Sequence, residues 1–353
     1  MLESTGPFCS RPLSATIVSS RREIAKLAPF VGGLVAEPAM LDPRFFLASI
    51  LGRKWRPCVC VVSQGERIAG LVYFKEPLVA GIRTRIAFGD DSLGCLVVAR
   101  TEETESVIRC ALKALLKHMI AIRLLVRSDR LPLLHGVEEK ATFRTYRAKR
   151  HAHLELGRTY DEFLSKLGPR TRRNFRYYRR KSELTGHEFV PELAFPDFCE
   201  AAERLFPKAA YAEIEPDLKK SLAMVESMPS RIIVGLRTND GEWISLAGGW
   251  RVGNRAILNM QLNEQTRIRE SISLVLRSYL IEMLIELGCR ELVFWAGSSA
   301  PLSCYSTFPE LSIAYLDCES LPWKLFRRGC EKVSTVAPRA FGEWLYWIAP
   351  AAK

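Results

Sequence analysis

The chain has 353 residues, 48% of them hydrophobic, 10% aromatic and 25% charged, and its 51 Lys and Arg against 39 Asp and Glu give a net charge of +12. This composition excludes a disordered or collagen-like chain, and the length suits two domains. The charge favours anionic partners such as phosphorylated cofactors, nucleic acid or acidic membrane surfaces.

From the N-terminus, no basic stretch followed by an apolar segment is found, and no apolar run reaches the ~18–20 residues that cross a bilayer, so a cytoplasmic location is expected. Residues 57–63 and 67–74 read as two strands around the Gln64-Gly65-Glu66 turn. Strand patterns follow at 82–88, 93–98 and 123–126, with a helix over 102–119 whose Val107, Ile108, Ala111, Leu112, Leu115, Leu116 and Met119 recur at helical spacing. Cys58 and Cys60 alternate on one strand, as do His151 and His153, but neither pair has a second pair at matching spacing. The ten cysteines therefore read as reduced, buried thiols, and no metal site is expected.

Residues 127–150 are polar and basic, hold Pro132 and Gly136 and show no strong period. The domain boundary is expected there, between a first domain at 1–126 and a second at 151–353. In the second, helices are expected over 160–184, 195–206 and 217–228, strands over 231–237, 243–251 and 255–262, a helix over 271–287 ending on Gly288, and a strand over 291–295. Each half thus reads as strands in a meander, then a helix, then one more strand.

Three stretches carry a family resemblance. YDEFLSKLGPRTRRNFRYYRRKSEL (160–184) leads from a short acidic entry into an Arg-rich helix. Residues 244–295 run strand, glycine pair (Gly248-Gly249), strand, polar loop, helix, strand, and the N-terminal half has a helix, hairpin, helix order. Together they resemble the CelD/BioF-type acetyltransferases of the GNAT superfamily, relatives of the Fem peptidyltransferases. The resemblance implies an α/β fold with α+β mixed sheets, built as tandem GNAT-like domains with the second catalytic.

It also implies an acyl-CoA co-substrate. In that fold a strand splayed from its neighbour bonds the pantetheine arm, and the next helix points its N-terminus at the pyrophosphate. Gln261 and Leu262 fall on that strand, Arg267 and Arg269 stand ready to neutralise phosphates, and Ser271 and Ser273 open the helix, Ser271 as its expected cap. The loop departs from the family pattern, with Glu270, Ser271 and Ile272 where relatives tend to have serine, proline and glycine. Beyond the last strand, Ala296–Tyr305 lacks the lysine that often follows the tyrosine.

Acyl transfer to an amine requires removal of a proton held at a pKa of ~10.4, which costs on the order of 4–5 kcal/mol at pH 7. Glu264 is the candidate base, backbone N–H groups at 259–261 the oxyanion donors, and Tyr305 the candidate acid for the leaving thiolate. Cys304 lacks an evident His partner for a nucleophilic role. Arg172, Arg176 and Arg179 share one stripe of the Arg-rich helix and are candidate anion or substrate binders, the neutral alternative being a solvated face with Asp and Glu partners.

The function expected is an N-acyltransferase moving an acyl group from acyl-CoA to the amine of a small-molecule, sugar or amino-acid-type acceptor. Two alternatives stand beside it: an aminoacyl-tRNA-dependent transferase of Fem type, and a catalytically decayed member that binds a partner.

Overall fold

The computed structural model describes residues 12–35, 39–51, 55–79, 81–90, 96–127, 141–149, 151–209, 218–295, 302–308 and 310–319. In chain order these give β1 (Leu13–Val18), α1 (Arg21–Ala25), α2 (Ala28–Val31), α3 (Pro43–Ser49), β2 (Trp55–Gln64), β3 (Arg67–Val79), β4 (Ile82–Arg83), β5 (Ile86–Asp90) and β6 (Val97–Ala99). Next come α4 (Thr104–His118), β7 (Ala121–Arg127), β8 (Ala141–Lys149), β9 (Ala152–Glu155), α5 (Tyr160–Lys166), α6 (Pro169–Leu184), β10 (Glu188–Val190) and α7 (Phe195–Leu205). The rest are α8 (Leu218–Glu226), β11 (Arg231–Arg237), β12 (Trp243–Val252), β13 (Arg255–Asn263), α9 (Ile272–Glu286), β14 (Glu291–Phe294), β15 (Ser306–Thr307) and β16 (Glu310–Glu319).

Two compact units result, one drawn from residues 1–36, 53–147 and 312–353, the other from 37–52 and 148–311. The chain therefore passes between units at more places than the expected boundary. Strand β8 occupies part of the expected connector, while residues 128–140, with Pro132 and Gly136, lie outside the described residues.

In the first unit the β2–β3 hairpin turns at Gly65, whose φ of 65° suits glycine. The sheet runs β1-β2-β3-β5-β7-β16-β8, with β4 and β6 also on β3. Helix α4 buries Val107, Ile108, Ala111, Leu112 and Leu115, one stripe at i, i+3/i+4 spacing, against Cys58, Cys60, Val72 and Leu124 of the sheet. Strand β16, which the sequence pattern does not announce, pairs antiparallel with β7 from Ile313↔Arg127 to Glu319↔Ala121.

The second unit's sheet runs β10-β11-β12-β13-β14-β9-β15. One face packs against α5, α6 and α9 through Phe163, Phe175, Leu276 and Leu280, the other against α3, α7 and α8 through Phe45, Phe198 and Val225. The helix expected over 160–184 is two helices. Gly168 takes an extended backbone (φ −60°, ψ 154°), because a residue before proline avoids the helical region, and Pro169, lacking an N–H, starts α6 at its first position. Both units therefore carry mixed α/β sheets in which a helix crosses between parallel strands, a tandem GNAT-like architecture. Among the described residues no helix is long and apolar enough to cross a membrane.

Candidate active site

The site is built where β13 and β14 part. They pair in parallel from Arg255↔Glu291 to Leu258↔Phe294, and the Trp295 N–H closes the seam on the Leu258 carbonyl at 2.9 Å. Strand β13 runs on to Asn263, and among the described residues no strand pairs with that side of 259–263. A bulge lies at the same point: Gly249 faces Leu258 and Gly248 faces Met260, so Asn259 is the extra residue. A Cβ on Gly249 would lie 2.0 Å from the Ile257 carbonyl oxygen, which is why glycine stands there. The bulge shifts the phase of the strand, since Leu258 packs on the α9 face and both Ile257 and Met260 on the other. The Asn259 amide donates to the Ser221 carbonyl of α8 at 3.2 Å.

Beyond the bulge the α9 face turns polar. Gln261 Nε2 donates to Asn263 Oδ1 (3.0 Å) and to Ser273 Oγ (3.2 Å), and Ser245 Oγ donates to the same Asn263 oxygen at 2.7 Å. Arg277 Nε donates to Gln261 Oε1 at 2.8 Å, and its guanidinium sits 5.1 Å from the centre of the Phe294 ring. Arg277 thus bridges the two strands where they separate, and the Gln261 and Ser273 side chains serve to hold it. Leu262 is buried in the opposite core, so only its backbone lines the open edge. The sequence reading passed over Arg277, although a lone arginine within ISLVLRSYLIEMLIE was the signal.

The loop before α9 brings Glu264 and Arg267 together. Arg267 Nε donates to Glu264 Oε2 at 3.0 Å, Nη1 lies 3.5 Å from Glu270 Oε2, and Thr266 Oγ1 donates to Glu264 Oε1 at 3.0 Å. The candidate base and the candidate phosphate ligand neutralise one another here, while Arg269 is exposed. Ser271 does not cap α9. It sits in the left-handed region (φ 54°, ψ 37°), whereas a capping serine is extended, and its side chain makes no capping bond. A glycine-like turn is thus kept without the glycine.

His187, which the sequence reading did not single out, joins this cluster. Its Nδ1 lies 3.1 Å from Ser182 Oγ and its Nε2 3.9 Å from Glu270 Oε2. Burial holds its pKa down, Glu270 opposes that, and Arg267 adds to it.

Tyr305 takes part in a different set of bonds. Its hydroxyl accepts the Gly168 N–H at 2.9 Å and donates to Thr171 Oγ1 at 3.1 Å, pinning the corner between α5 and α6. A Cβ on Gly168 would meet that hydroxyl at 2.8 Å. The preceding residues 296–301 lie outside the described residues.

The arginine stripe divides by duty. Arg172 Nη2 donates to the Leu167 carbonyl at 3.0 Å, closing the end of α5. Arg179 pairs with Glu282 at 2.6 Å and lies over the Tyr279 ring at 4.1 Å. Burial works against the Arg179 charge, but Glu282 outweighs it and the pKa is raised. Burial and a bond to Glu183 push Tyr279 up to about 12. Only Arg176 of the three expected binders faces outward, 3.9 Å from a still more exposed Asp161, alongside exposed Arg170, Arg173 and Arg180.

Among the described residues no group of three or more His, Cys, Asp or Glu side chains gathers as metal ligands. His153 Nδ1 is 2.7 Å from Glu291, and His151 stacks on Trp295. Cys58 and Cys60 are free thiols that burial pushes up to about 11 and about 12, which keeps them protonated and unreactive.

No protein-family model and no curated protein matches the sequence. Solved structures do match its fold. FemX superposes with a TM-score of 0.55 at 10% identity, covering 86% of this chain and 97% of its own. L-PGS from Bacillus licheniformis gives 0.51 at 14% identity, covering 85% and 94%. A tandem GNAT protein from the clavulanic acid biosynthesis pathway gives 0.46 at 13%, covering 86% and 98%. For the first two the likeness, at such identities, is one of fold, and it covers most of each chain.

Proposed function

We propose that the chain is an acyltransferase that moves an acyl group from acyl-CoA to an amine at the parting of β13 and β14. The observation that carries this reading is the bulged, one-sided strand Asn259–Asn263, whose backbone offers donors and acceptors to a pantetheine-like arm and whose N–H groups suit a developing oxyanion. The amine nitrogen attacks the thioester carbonyl carbon, the C–S bond breaks, and the thiolate takes up a proton as it leaves. Glu264 is the nearest carboxylate to that strand in sequence and acts as base once its hold on Arg267 is loosened. Tyr305, whose proton goes to Thr171, is better cast as the residue that positions the α5–α6 corner than as the acid. The acceptor is a small amine-bearing metabolite, and the reduced thiols suit a cytoplasmic setting.

A second reading has an observation of its own. Two carboxylates, Glu264 and Glu270, flank Arg267 where a pyrophosphate would sit, and an aminoacyl ester of a tRNA needs no pyrophosphate there. The outward arginines of α6 suit that polyanion. Thermal shift decides between the two. A donor that binds the folded state raises the melting temperature, so acetyl-CoA, longer acyl-CoAs or free CoA should do so under the first reading. No shift with any of them ends it, and salt-dependent binding of charged tRNA then supports the second.

A further inference from the structure

The outward side of α6 carries charge that the folded chain does not offset. Thr171, Phe175 and Ser182 turn inward, and the opposite face presents Arg170, Arg173, Arg176, Arg180 and Lys181, all exposed. Neighbouring cations three and four positions apart repel one another. No acid stands in the first turn, so Arg170, Arg172 and Arg173 also oppose the positive end of the helix dipole. The nearby carboxylates give little relief. Asp161 lies 3.9 Å from Arg176 with both side chains in water, a weak pairing, and Glu183 is engaged by Arg179 and Tyr279. Among the described residues no carboxylate pairs with Arg170, Arg173, Arg180 or Lys181.

Charge alone calls for an anion without naming it. Tyr177 and Leu184 narrow the choice. Arg173, Tyr177, Arg180 and Leu184 follow at i, i+4, i+7 and i+11, so they form one row, within an arc of about 60°, down the middle of the exposed face. Tyr177 is 57% exposed and Leu184 80%, and they are two of the six large hydrophobic side chains most open to water among the described residues. An acidic bilayer surface matches such a row. Guanidiniums meet lipid phosphates there, an aromatic ring sits among the headgroups, and an aliphatic side chain reaches the acyl boundary. RNA would engage the arginines and stack a base on Tyr177, but it offers nothing to a leucine standing this far out.

We infer that the outer face of α6 docks the protein peripherally on an acidic membrane surface, with Arg173 and Arg180 on lipid phosphates and Leu184 entering between them. The contact is a reversible one, because a single leucine and a single tyrosine supply its apolar part. It does not depend on the chemistry at the wedge, and it assigns to a membrane the arginines that a tRNA would otherwise occupy.

Co-sedimentation of the full chain with phosphatidylcholine vesicles, plain or carrying about one third phosphatidylglycerol, tests the surface. Binding is expected to the acidic vesicles alone, and it should fall as salt rises. Each basic side chain at such a surface multiplies partitioning about fivefold, so Arg173→Gln combined with Arg180→Gln should weaken binding about 25-fold. Lys113→Gln combined with Lys117→Gln removes the same charge from the exposed side of α4 and should weaken it less than about threefold. Leu184→Ser should cost about fivefold, the scale of a side chain half withdrawn from water, with the melting temperature unchanged. Equal losses from the two charge pairs would show a general response to net charge and overturn the inference, as would equal binding to plain vesicles or no binding to acidic ones. Mixed uncharged tRNA tests the rival partner. If the arginine pair weakens tRNA binding while Leu184→Ser leaves both tRNA and vesicle binding at native strength, the face belongs to RNA and the membrane inference fails.

Discussion

The two units lay a helix across a parallel strand pair in the same way and then treat the strand leading into that helix differently. In the first, β5 pairs with β7 from Ile86↔Ala121 to Asp90↔Leu125, and β6 carries on along β3 with Val97, Val98 and Ala99 all buried. In the second, the equivalent stretch beyond the pairing is Asn259 to Asn263, whose amides at 259, 261 and 263 all enter hydrogen bonds. The helix starts differ as well. Glu102, Glu103 and Glu105 stand at the start of α4, where carboxylates suit the helix dipole and repel any other anion. Arg267 and Arg269 stand before α9. One topology thus serves as an apolar scaffold in one unit and as a polar, split strand in the other, and this contrast favours the second unit as the seat of chemistry.

Closing the split should have the largest effect. Gly249→Ala puts a methyl group against the Ile257 carbonyl, a backbone atom that gives way only if the bulge moves. If the bulge sets the oxyanion donors, transferase turnover should fall by about two to three orders of magnitude, the scale of losing one such donor. The donor-induced thermal shift should shrink with it, because the same backbone at 259–263 is the part that meets the pantetheine-like arm. Unchanged turnover would remove the bulge from the mechanism.

The first unit should break through a different device. Glu76 of β3 is fully buried and accepts from Arg56 (3.1 Å), Arg83 (3.1 Å) and the Arg85 N–H (2.7 Å), the last at a residue with φ 56°. Glu76→Ala strands two guanidiniums and the part-buried Arg85 N–H. Both arginines reach solvent in part, so the loss should fall near the lower end of the range for broken buried pairs, about 3 kcal/mol by urea denaturation. A loss below about 1 kcal/mol would mean that the arginines simply turn outward and the network holds little.

These two sites show what was legible in the sequence. Periodicity placed α4, β11, β12, β13, α9 and β14 within a residue or two, because each has one clear apolar rhythm. It merged α5 and α6, since the apolar spacing runs on through Gly168-Pro169 and only the proline's missing N–H breaks it. It passed over β16, whose pairing with β7 is a contact made across nearly two hundred positions of sequence. At the site, residue type revealed the arginines near α9 but not their company. That Arg267 is held by Glu264 and Glu270, that Arg179 answers Glu282, and that Tyr305 bonds Gly168 are facts of long-range packing or local rotamers, which spacing does not encode. The bulge at Asn259 was signalled only by the Gly248-Gly249 pair on the neighbouring strand.

The smallest effect expected is one of pH, and it falls on the loop that separates the two donor readings. Burial lowers the pKa of His187 in the folded chain, more than Glu270 restores it. Below its ordinary value of about 6.5 the unfolded chain binds a proton there that the folded chain refuses, so stability declines as pH drops through that window and recovers above it. His187→Gln removes the proton uptake and should flatten the stability profile between about pH 5 and 7. At still lower pH the protonated imidazole sits 3.9 Å from Glu270 and competes with Arg267 for it. Arg267 is then freer to meet an anion, so the thermal shift produced by free CoA should grow on acidification in the native chain and not in His187→Gln. A profile that stays identical in the variant would show that burial and Glu270 cancel at His187, and that the loop does not loosen in this way.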